Sequence, residues 1–380
     1  MRKKKIRICF PFVGDSIGGS HLSALELIKN IDNILFDPLI VLHRKGIFYD
    51  YLKKKRINFL FLPLKDFVGS KKGIFFNTKI LFLNFFKIRF FIKKFNFQFI
   101  HSNDTRIHLN WVIATKLSKS KFLWHLRIKF PNWKLYKTFI CFSDKIICIS
   151  NYVYNTLSNS LKSKSTVIYN PILLKDKIED KKEKKLISKF LKYKNKKKIL
   201  FIANIIESKK IDIFIKSALE IYKKKDFIFL IIGKDKHKIY KKIFLNLKNE
   251  KFKKNIFYLN YSYNIKFWLQ NSDILLVPAI YEGHNRTIVE SMLAKLPVIA
   301  SNSGGHKETI INEKNGWLFT PNNYMELAKK TLNFFKLSKL KKERIKKQAY
   351  ITASTKFSPE KIKKKLNFYI KICSQINYIS

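Results

Sequence analysis

Two glutamates stand out in the segment YEGHNRTIVESMLAKLPVIASNSGGHKE, which covers residues 281–308. Glu282 lies in a turn after the predicted strand DILLVP, and Glu290 follows eight positions later on a predicted helix. In a parallel sheet, the carboxyl end of a strand and the start of the next helix border the ligand crevice. Free backbone N–H groups there favour anionic or hydroxyl-rich ligands. Two carboxylates at this place could accept hydrogen bonds from sugar or ribose hydroxyls.

An ordinary structural explanation of the same spacing stays open. A glutamate in a turn and another near a helix start are both stabilised by the positive end of the helix dipole. The pair Gly304 and Gly305 has a comparable explanation, because a loop that needs positive φ selects glycine. Spacing alone therefore does not decide between a ligand site and local backbone requirements.

The elements that must position these residues follow from short apolar runs that alternate with longer helical patterns. Such alternation is typical of βα units and a parallel sheet, and it occurs twice along the chain. The predicted strands of the first half are 5–10, 38–43, 57–62, 97–102, 121–126, 145–150 and 165–170. Those of the second half are 197–204, 227–233, 255–260, 273–278 and 296–301. The sequence therefore predicts an α/β protein with two parallel-sheet domains.

The length of 380 residues also favours two domains, because single cores stop growing well below this size. A run of charged residues at 175–198 separates the two halves. Near the end, Ser358 precedes Pro359, which is a plausible N-cap followed by proline at the first helical position. We expect an N-terminal domain over 1–172, a linker and basic helix over 173–198, a C-terminal domain over 199–355 and a closing helix over 356–380.

The formal net charge of +52 raises the question of an anionic partner. The excess is carried by lysine, since only nine residues are arginine, and it accompanies abundant Ile, Asn, Phe and Tyr. These residues share A/T-rich codons, so genome composition explains much of the lysine on solvated faces. We expect no nucleic acid partner, and we keep attraction to an anionic membrane surface as a secondary effect.

The expected location is the cytoplasm. The four cysteines have neither CxxC nor metal-ligand spacing, which indicates buried free thiols in a reducing compartment. No segment reaches the roughly 18–20 apolar residues that a membrane span needs. The stretch KILFLNFFKIRFFIKKFNF, residues 79–97, mixes Phe and Leu with Lys and Arg, a composition suited to an anionic bilayer interface at the inner face of the plasma membrane. The alternative is a helix that faces the core and has a solvated basic side.

Residues 281–308 also resemble the signature of the family-four glycosyltransferases: an acidic residue, seven intervening residues, a second glutamate on a helix, then a buried strand and a glycine turn. Further segments resemble the family in the right order, namely DSIGGSHLSALELIKNI, FIHSND, ISNYV, VIYNPI and ANIIESKKIDIFIKSA. The resemblance implies the GT-B fold, in which two Rossmann-like domains with parallel sheets face each other across a cleft. That implication agrees with the twofold strand–helix alternation.

The resemblance implies a role for each matching donor-side residue. Gly18 and Gly19 would let the backbone approach the donor phosphates or the transferred sugar, although an ordinary strand-to-helix turn explains them as well. Lys209 would neutralise charge on the leaving diphosphate, and its position supports this more than its type in so lysine-rich a chain. Glu290 would hold the donor ribose, and Glu282 would contact hydroxyls of the transferred sugar.

The sequence departs from the family pattern at two places. Ala203 and Asn204 stand where Gly-Arg is usual before the basic residue, so Asn204 occupies a donor-side position without the arginine charge. We expect Arg286 or Arg127 to substitute for that charge. The second departure is His284-Asn285 in place of Phe-Gly.

By the same resemblance, Gly304 and Gly305 would form a further glycine turn near the donor.

Two histidines and an arginine would line the acceptor side. His101 matches the family's active-site histidine at the end of a strand and could contact the transferred sugar or the acceptor. His125 and Arg127 also end a strand, and the guanidinium could bind donor phosphates or an anionic acceptor in a bidentate manner. A structural histidine at a strand end is the alternative for His101.

The resemblance thus implies a retaining transfer from a nucleotide diphosphate sugar, such as a UDP- or GDP-sugar, to a glycan or lipid-linked glycan acceptor in lipopolysaccharide, O-antigen or capsule assembly. The sequence has no DxD motif of the kind that binds a metal-nucleotide complex, so we expect metal independence. Two other functions stay open. One is a sugar-nucleotide epimerase with the GT-B fold, and the other is a non-catalytic basic protein that binds membrane or nucleic acid.

Overall fold

The computed structural model describes residues 5–67, 73–130, 134–174, 187–188, 190–193, 195–224, 226–262 and 264–375. The chain divides into two compact units. The first unit comprises residues 1–171 and 359–380, and the second comprises residues 172–358. Most of the predicted linker and basic helix at 173–198 lies outside the described residues.

The first unit contains a seven-stranded parallel sheet in the order β3-β2-β1-β4-β5-β6-β7. Its strands are β1 (Ile6–Phe12), β2 (Phe36–Leu42), β3 (Leu60–Phe61), β4 (Phe99–Ser102), β5 (Lys121–Leu126), β6 (Lys145–Cys148) and β7 (Ser165–Val167). Its helices up to β7 are α1 (Gly19–Lys29), α2 (Ile47–Lys54), α3 (Ile74–Phe95), α4 (Thr105–Lys116), α5 (Lys134–Ile140), α6 (Asn151–Tyr154) and α7 (Asn159–Lys162).

Both faces of this sheet are buried, because successive side chains of each strand point to opposite sides. In β1, Cys9 faces the core formed with α3, α4 and α5, whereas its neighbours Ile8 and Phe10 face the core formed with α1 and α2. The strands therefore appear in the sequence as continuous apolar runs, which is why they could be predicted.

The second unit contains a six-stranded parallel sheet in the order β10-β9-β8-β11-β12-β13. Its strands are β8 (Lys197–Ile202), β9 (Phe227–Ile232), β10 (Ile256–Leu259), β11 (Ile274–Val277), β12 (Val298–Ser301) and β13 (Trp317–Phe319). Its helices are α8 (Ile211–Tyr222), α9 (Ile239–Leu245), α10 (Glu250–Lys253), α11 (Ile265–Gln270), α12 (Arg286–Leu293), α13 (His306–Thr309), α14 (Tyr324–Lys336) and α15 (Lys339–Lys356), with a 3₁₀ turn at Glu207–Lys209.

The last helix, α16 (Pro359–Gln375), packs in the first unit although it follows the second in sequence. Ile362, Leu366 and Ile370 join the same apolar core as α1 and α2. Their spacing of four residues places them on one face of the helix. The C-terminal helix is therefore a core element of the first unit.

Two details differ from the sequence-based predictions, whereas the α/β class with two parallel sheets is confirmed. Strand β13 was missed, because WLF is shorter than the apolar runs that signal a buried strand. Cys141 was expected to be buried and is exposed, because it lies just after the end of α5, whereas Cys9, Cys148 and Cys373 are buried free thiols as predicted. Among the described residues, no helix combines the length and apolar composition needed to cross a membrane.

In each sheet the chain reverses its direction of strand addition at one point. The switch lies between β1 and β4 in the first unit and between β8 and β11 in the second. The loops at the carboxyl ends of two such strands leave in opposite directions and open a crevice, which is where ligands of open α/β sheets bind.

Substitution of Ile370 by alanine tests the placement of α16. Ile370 is fully buried, so we expect Ile370→Ala to lower the free energy of unfolding by about 2–5 kcal/mol, measured by chemical denaturation. Phe368 on the same helix is 66% exposed, and Phe368→Ala should change that free energy by no more than about 0.5 kcal/mol. Equal effects of the two substitutions would contradict this packing.

Candidate functional site

An ion pair spans the switch point of the second unit. Lys209 ends the 3₁₀ turn that follows β8, and Glu282 lies in the loop that follows β11. The Lys209 Nζ lies 2.6 Å from the Glu282 Oε1, and the two side chains are only 19% and 18% exposed. The Ile280 N–H also donates to the Ser208 carbonyl at 2.9 Å, which ties the two loops together. The structure thus brings together two of the residues predicted to act on the donor.

The glycine turn after β12 fixes the backbone of Glu282. The Gly305 N–H donates to the Glu282 carbonyl at 2.8 Å. A Cβ at Gly304 would collide with the backbone of Glu282, and one at Gly305 would collide with the Gly283 carbonyl. Gly304 also has a φ of +58°, in the left-handed region that favours glycine. The backbone explanation for this glycine pair therefore holds, and its effect is to position a predicted site residue.

Helix α12 carries the second glutamate. Asn285 caps the helix, because its Oδ1 accepts hydrogen bonds from the N–H groups of Thr287 and Ile288 at 3.1 and 3.4 Å. One turn further, the Glu290 Oε1 accepts a hydrogen bond from the Arg286 Nη2 at 3.0 Å. Both side chains of this second ion pair are largely buried. Arg286 and Glu290 therefore lie together at the helix start.

His306, to which sequence reasoning gave no role, supports the cap. Its ring is fully buried, and its Nδ1 lies 3.0 Å from the Ser301 carbonyl, so Nδ1 carries the proton. The Nε2 is then free to accept a hydrogen bond from the Asn285 side-chain amide at 3.4 Å. Burial lowers the pKa of His306 to about 4, which keeps the ring neutral. The sequence signal that could have indicated this role is the position of His306 directly after Gly304 and Gly305.

The two departures from the family pattern occupy different environments. Asn204 is exposed just beyond the end of β8. His284 is buried, and its ring stacks at a tilt against Phe357 with centroids 4.9 Å apart. His284 therefore packs against the segment that follows α15 and helps to fix the turn between the two glutamates.

A further ion pair, between Asp15 and Arg106, spans the switch point of the first unit and was not predicted. Asp15 follows β1, and Arg106 lies in the first turn of α4 after β4. The guanidinium binds both carboxylate oxygens, at 2.7 and 3.0 Å. This hydrogen bonding lowers the pKa of Asp15. Asp104 caps α4 by accepting from the Arg106 N–H at 2.8 Å, which fixes the arginine from its backbone.

Gly18 and Gly19 lie in the same loop region as Asp15. Gly18 is the N-cap of α1 with an extended backbone, and a Cβ built on it would meet no protein atom within 4 Å. Gly19 is the first residue of the helix and is exposed. Neither the conformation of Gly18 nor its protein neighbours require glycine. Glycine is also a common N-cap residue, so the ordinary-turn explanation stays open at this position.

His101, His125 and Arg127 form one hydrogen-bonded cluster at the ends of β4 and β5. The His101 Nε2 lies 3.0 Å from the His125 Nδ1. Arg127 is held by Asn103, whose Oδ1 accepts from Nη2 at 2.7 Å, and by Asn170, whose Oδ1 accepts from Nη1 at 2.6 Å. The two asparagines were missed in the sequence, although they lie in the segments FIHSND and VIYNPI.

Charge and burial fix the protonation of the two histidines. Arg127 can only donate, and its Nη2 lies 3.4 Å from the His125 Nδ1, so this nitrogen accepts and the His101 Nε2 carries a proton. Burial and the nearby Arg127 charge lower the pKa of His101 to about 3 and that of His125 well below its usual value. Among the described residues, the His101 Nδ1 is left as a buried acceptor with no hydrogen-bond partner. Both rings are fully buried.

The predicted site residues thus fall into two groups, one in each unit. The first unit contains the histidine–arginine cluster and the Gly18–Gly19 loop, and the second contains both glutamates with Lys209 and Arg286. Among the described residues, no group of three or more His, Cys, Asp or Glu side chains could hold a metal ion.

Two protein-family models match the chain. The model for glycosyl transferases group 1 covers residues 182–352. The model for glycosyltransferase family 4 covers residues 64–175. The two matched regions do not overlap. The first contains both glutamates with Lys209 and Arg286, and the second contains the histidine–arginine cluster but not the Gly18–Gly19 loop.

Curated relatives include an uncharacterized glycosyltransferase of Methanocaldococcus jannaschii, which is 32% identical over 205 residues, or 53% of this chain and 52% of the relative. The poly(ribitol-phosphate) alpha-N-acetylglucosaminyltransferase of Staphylococcus aureus is 28% identical over 155 residues, or 38% of this chain and 31% of the relative. The chain thus spans about half or less of the length of these relatives.

Solved structures match nearly the whole chain. Anabaena HepE in complex with UDP and glucose has a TM-score of 0.79 at 18% identity, covering 96% of this chain and 99% of HepE. A glycosyltransferase from Rickettsia africae has a TM-score of 0.79 at 24% identity, covering 99% of this chain and all of that chain. These similarities confirm the predicted GT-B fold class.

The low pKa of His306 predicts a loss of stability in acid. A histidine whose pKa falls from 6.5 when unfolded to about 4 when folded binds more protons in the unfolded state, so stability is lost as the pH drops through this range. We expect His306→Gln to remove up to about 3 kcal/mol of the decline in unfolding free energy between about pH 7 and about pH 4.

The matched control is His237→Gln, because His237 is exposed. Denaturant titrations at each pH should give this control the same decline as the parent protein. A parent-like decline in His306→Gln would contradict the buried neutral ring.

Proposed function

Because the chain belongs to the group 1 glycosyltransferases, we propose that it transfers a sugar from a nucleoside diphosphate sugar to a glycan acceptor. The single observation that carries this proposal is the ion pair of Lys209 and Glu282 at the switch point of the second sheet. It places an ammonium group and a carboxylate side by side, and a sugar diphosphate offers phosphate to the first and hydroxyls to the second.

A UDP-sugar is the donor that we favour over a GDP-sugar. The support is the similarity to HepE, which has been solved with UDP and glucose. In our proposal, the Glu290 carboxylate accepts hydrogen bonds from the ribose hydroxyls and the Glu282 carboxylate accepts from hydroxyls of the transferred sugar. Arg286 then contacts both Glu290 and the donor. Its guanidinium supplies the positive charge for the donor phosphates that is absent at Ala203 and Asn204. Gly304 and Gly305 hold the Glu282 backbone during binding.

The proposed chemistry is a retaining displacement on one face of the sugar. The bond from the anomeric carbon to the diphosphate oxygen breaks, and the acceptor hydroxyl oxygen forms the new bond to that carbon on the same face. The acceptor proton passes to the departing phosphate oxygen. Lys209 stabilises the negative charge that develops on the diphosphate, and Arg286 adds to it. Positioning and charge therefore provide the catalysis, and the proposal requires no metal ion.

The acceptor side is proposed to lie in the first unit. His101 would accept a hydrogen bond at Nδ1, the buried acceptor atom for which the described part of the chain offers no partner. His125 fixes the other nitrogen of that ring, and Arg127 fixes His125. The backbone at Gly18 and Gly19 is open to a ligand, since a Cβ at Gly18 would meet nothing.

The acceptor that we propose is a glycan or lipid-linked glycan of the cell surface, such as lipopolysaccharide, O-antigen or capsule. The Staphylococcus aureus relative, by its name, modifies a poly(ribitol-phosphate) polymer, and this supports a polymeric acceptor. A lipid-linked acceptor would place the protein in the cytoplasm at the inner face of the plasma membrane.

Donor binding is tested with Glu290→Ala. In the parent protein, UDP at a hundredfold excess over its Kd should raise the unfolding free energy by about 2.7 kcal/mol. We expect Glu290→Ala to lose most of this stabilisation, because the ribose hydroxyls lose their acceptor. Thermal unfolding with a panel of nucleotide sugars measures the effect. Glu250→Ala, at an exposed glutamate of the same unit, should respond like the parent.

Donor cleavage is tested with Lys209→Ala. Loss of a group that stabilises the charge developing on the leaving diphosphate should lower kcat for sugar transfer or for slow donor hydrolysis by about 10²–10³. The exposed Lys236→Ala is the control and should keep the parent rate. A parent-like kcat in Lys209→Ala would remove the proposed role.

The same assays distinguish a transferase from an epimerase and from a non-catalytic basic protein. An epimerase would convert one nucleotide sugar into another without releasing UDP. A non-catalytic basic protein would bind vesicles or nucleic acid without turning over any donor. Either result would replace the transferase proposal.

A further inference from the structure

Helix α3 carries large apolar side chains on its buried face and also on its exposed face. Its buried face carries Ile80, Ile88 and Ile92, which join the core with α4. Asn84 lies on the same face, and its amide donates to the Asn110 Oδ1 at 2.8 Å. These contacts fix the rotation of α3 and determine which residues face outward.

The outward face of α3 is a stripe of phenylalanines. Phe75, Phe82, Phe86 and Phe90 are 88%, 64%, 54% and 70% exposed. Their separations of seven, four and four residues keep them on one side of a helix with about 3.6 residues per turn. The Phe82 and Phe86 rings meet edge to face with centroids 4.9 Å apart. We call these four residues the phenylalanine stripe. Single exposed apolar residues are common, but a contiguous row of large rings marks an interaction surface.

The charge around the phenylalanine stripe is of one sign. The helix IFFNTKILFLNFFKIRFFIKKF contains five basic residues and no acidic residue. Lys79 and Lys93 lie in line with the stripe, at separations of three or four residues from its members, and both are exposed. Lys87 and Lys94 are exposed along one border of the stripe. A flexible lysine stem can lie along an apolar surface while its ammonium group reaches outward.

We propose that the phenylalanine stripe docks α3 onto an anionic lipid bilayer, parallel to its plane. The rings would enter the boundary between headgroups and acyl chains, and the lysines would contact anionic headgroups. Charge complementarity favours a bilayer as the partner. The rings match its apolar acyl chains, and the lysines between them match its negatively charged headgroups. The same lysines would repel each other across an interface between two copies of α3.

The position of α3 after β3 determines which end of the docked helix lies near the carboxyl edge of the first sheet. The chain leaves β3 at the carboxyl edge of the first sheet and enters α3, so the first turns of the helix, with Phe75, lie nearest that edge. His101 is the next-to-last residue of β4 and lies near the same edge. Docking would therefore hold the first unit beside the bilayer, with the edge that contains the proposed acceptor residues at the Phe75 end of the docked helix. The inference goes beyond the proposed function and does not depend on the donor site.

The test is co-sedimentation with phosphatidylcholine vesicles that do or do not contain phosphatidylglycerol, without any nucleotide sugar and at about 0.15 M salt to reduce long-range attraction. The double substitution Phe82→Ser with Phe86→Ser leaves the net charge unchanged. We expect it to lower partitioning into the anionic vesicles at least tenfold, or about 1.4 kcal/mol. The matched control is Phe368→Ser with Leu340→Ser, at two similarly exposed apolar positions outside α3. The control should bind like the parent.

A second pair of variants separates the stripe from the general basicity of the chain. Lys79→Gln with Lys93→Gln removes two charges from α3, and Lys363→Gln with Lys364→Gln removes two exposed charges from α16. We expect a larger loss of binding from the α3 pair. Equal losses from both pairs, or parent-like binding of the phenylalanine variant, would overturn the proposal.

Two further measurements make each outcome interpretable. Light scattering without lipid detects a dimer, and a dimer that dissociates in the phenylalanine variant would overturn the proposal in favour of a second copy. If that variant does not fold, Phe75→Ser with Phe90→Ser, at the most exposed positions of the stripe, replaces it. Stabilisation by UDP in solution should be unchanged in all folded variants, so failure of docking and failure of the donor site give different results.

Discussion

The candidate donor site depends on the ion pair between Lys209 and Glu282. The pair joins the loops after β8 and β11, and its side chains are mostly removed from water. Loss of one partner would leave the other as a partly buried, uncompensated charge, which is strongly destabilising. Neighbouring features hold the geometry of the pair: the Gly304–Gly305 turn grips the Glu282 backbone, and the His306–Asn285 contact fixes the start of α12. A polar ligand can replace one partner of such a pair without leaving a bare charge.

The first unit repeats this design with other residues. Asp15 and Arg106 join the loops at its own switch point, and the His101–His125–Arg127 cluster lies at the ends of the next strands. In both units, parallel strands direct their carboxyl ends to one edge, and the reversal of strand order opens that edge. Side chains far apart in sequence therefore meet there. The fold class explains where the polar clusters lie, and the individual residues determine what each cluster can bind.

Much of this arrangement could be predicted from the sequence. Buried parallel strands are continuous apolar runs, so all strands except the short β13 were located. Glu282, Lys209 and Glu290 were predicted as site residues through the ordered motifs of the family. The pairing of Asp15 with Arg106 could not be found, because 91 positions separate them. Asp15 begins the segment DSIGGSHLSALELIKNI, but Arg106 belongs to no motif that we used. The complete burial of His101 and the support from His306 also depend on packing between elements that no local pattern encodes.

A crystal structure of the protein with UDP is the measurement that tests the donor site most directly. The account predicts that the ribose hydroxyls donate to the Glu290 carboxylate and that the Lys209 Nζ lies within hydrogen-bond distance of the β-phosphate. It also predicts that Arg286 turns toward the phosphates. UDP bound away from these residues, or with its ribose outside the reach of Glu290, would contradict the account.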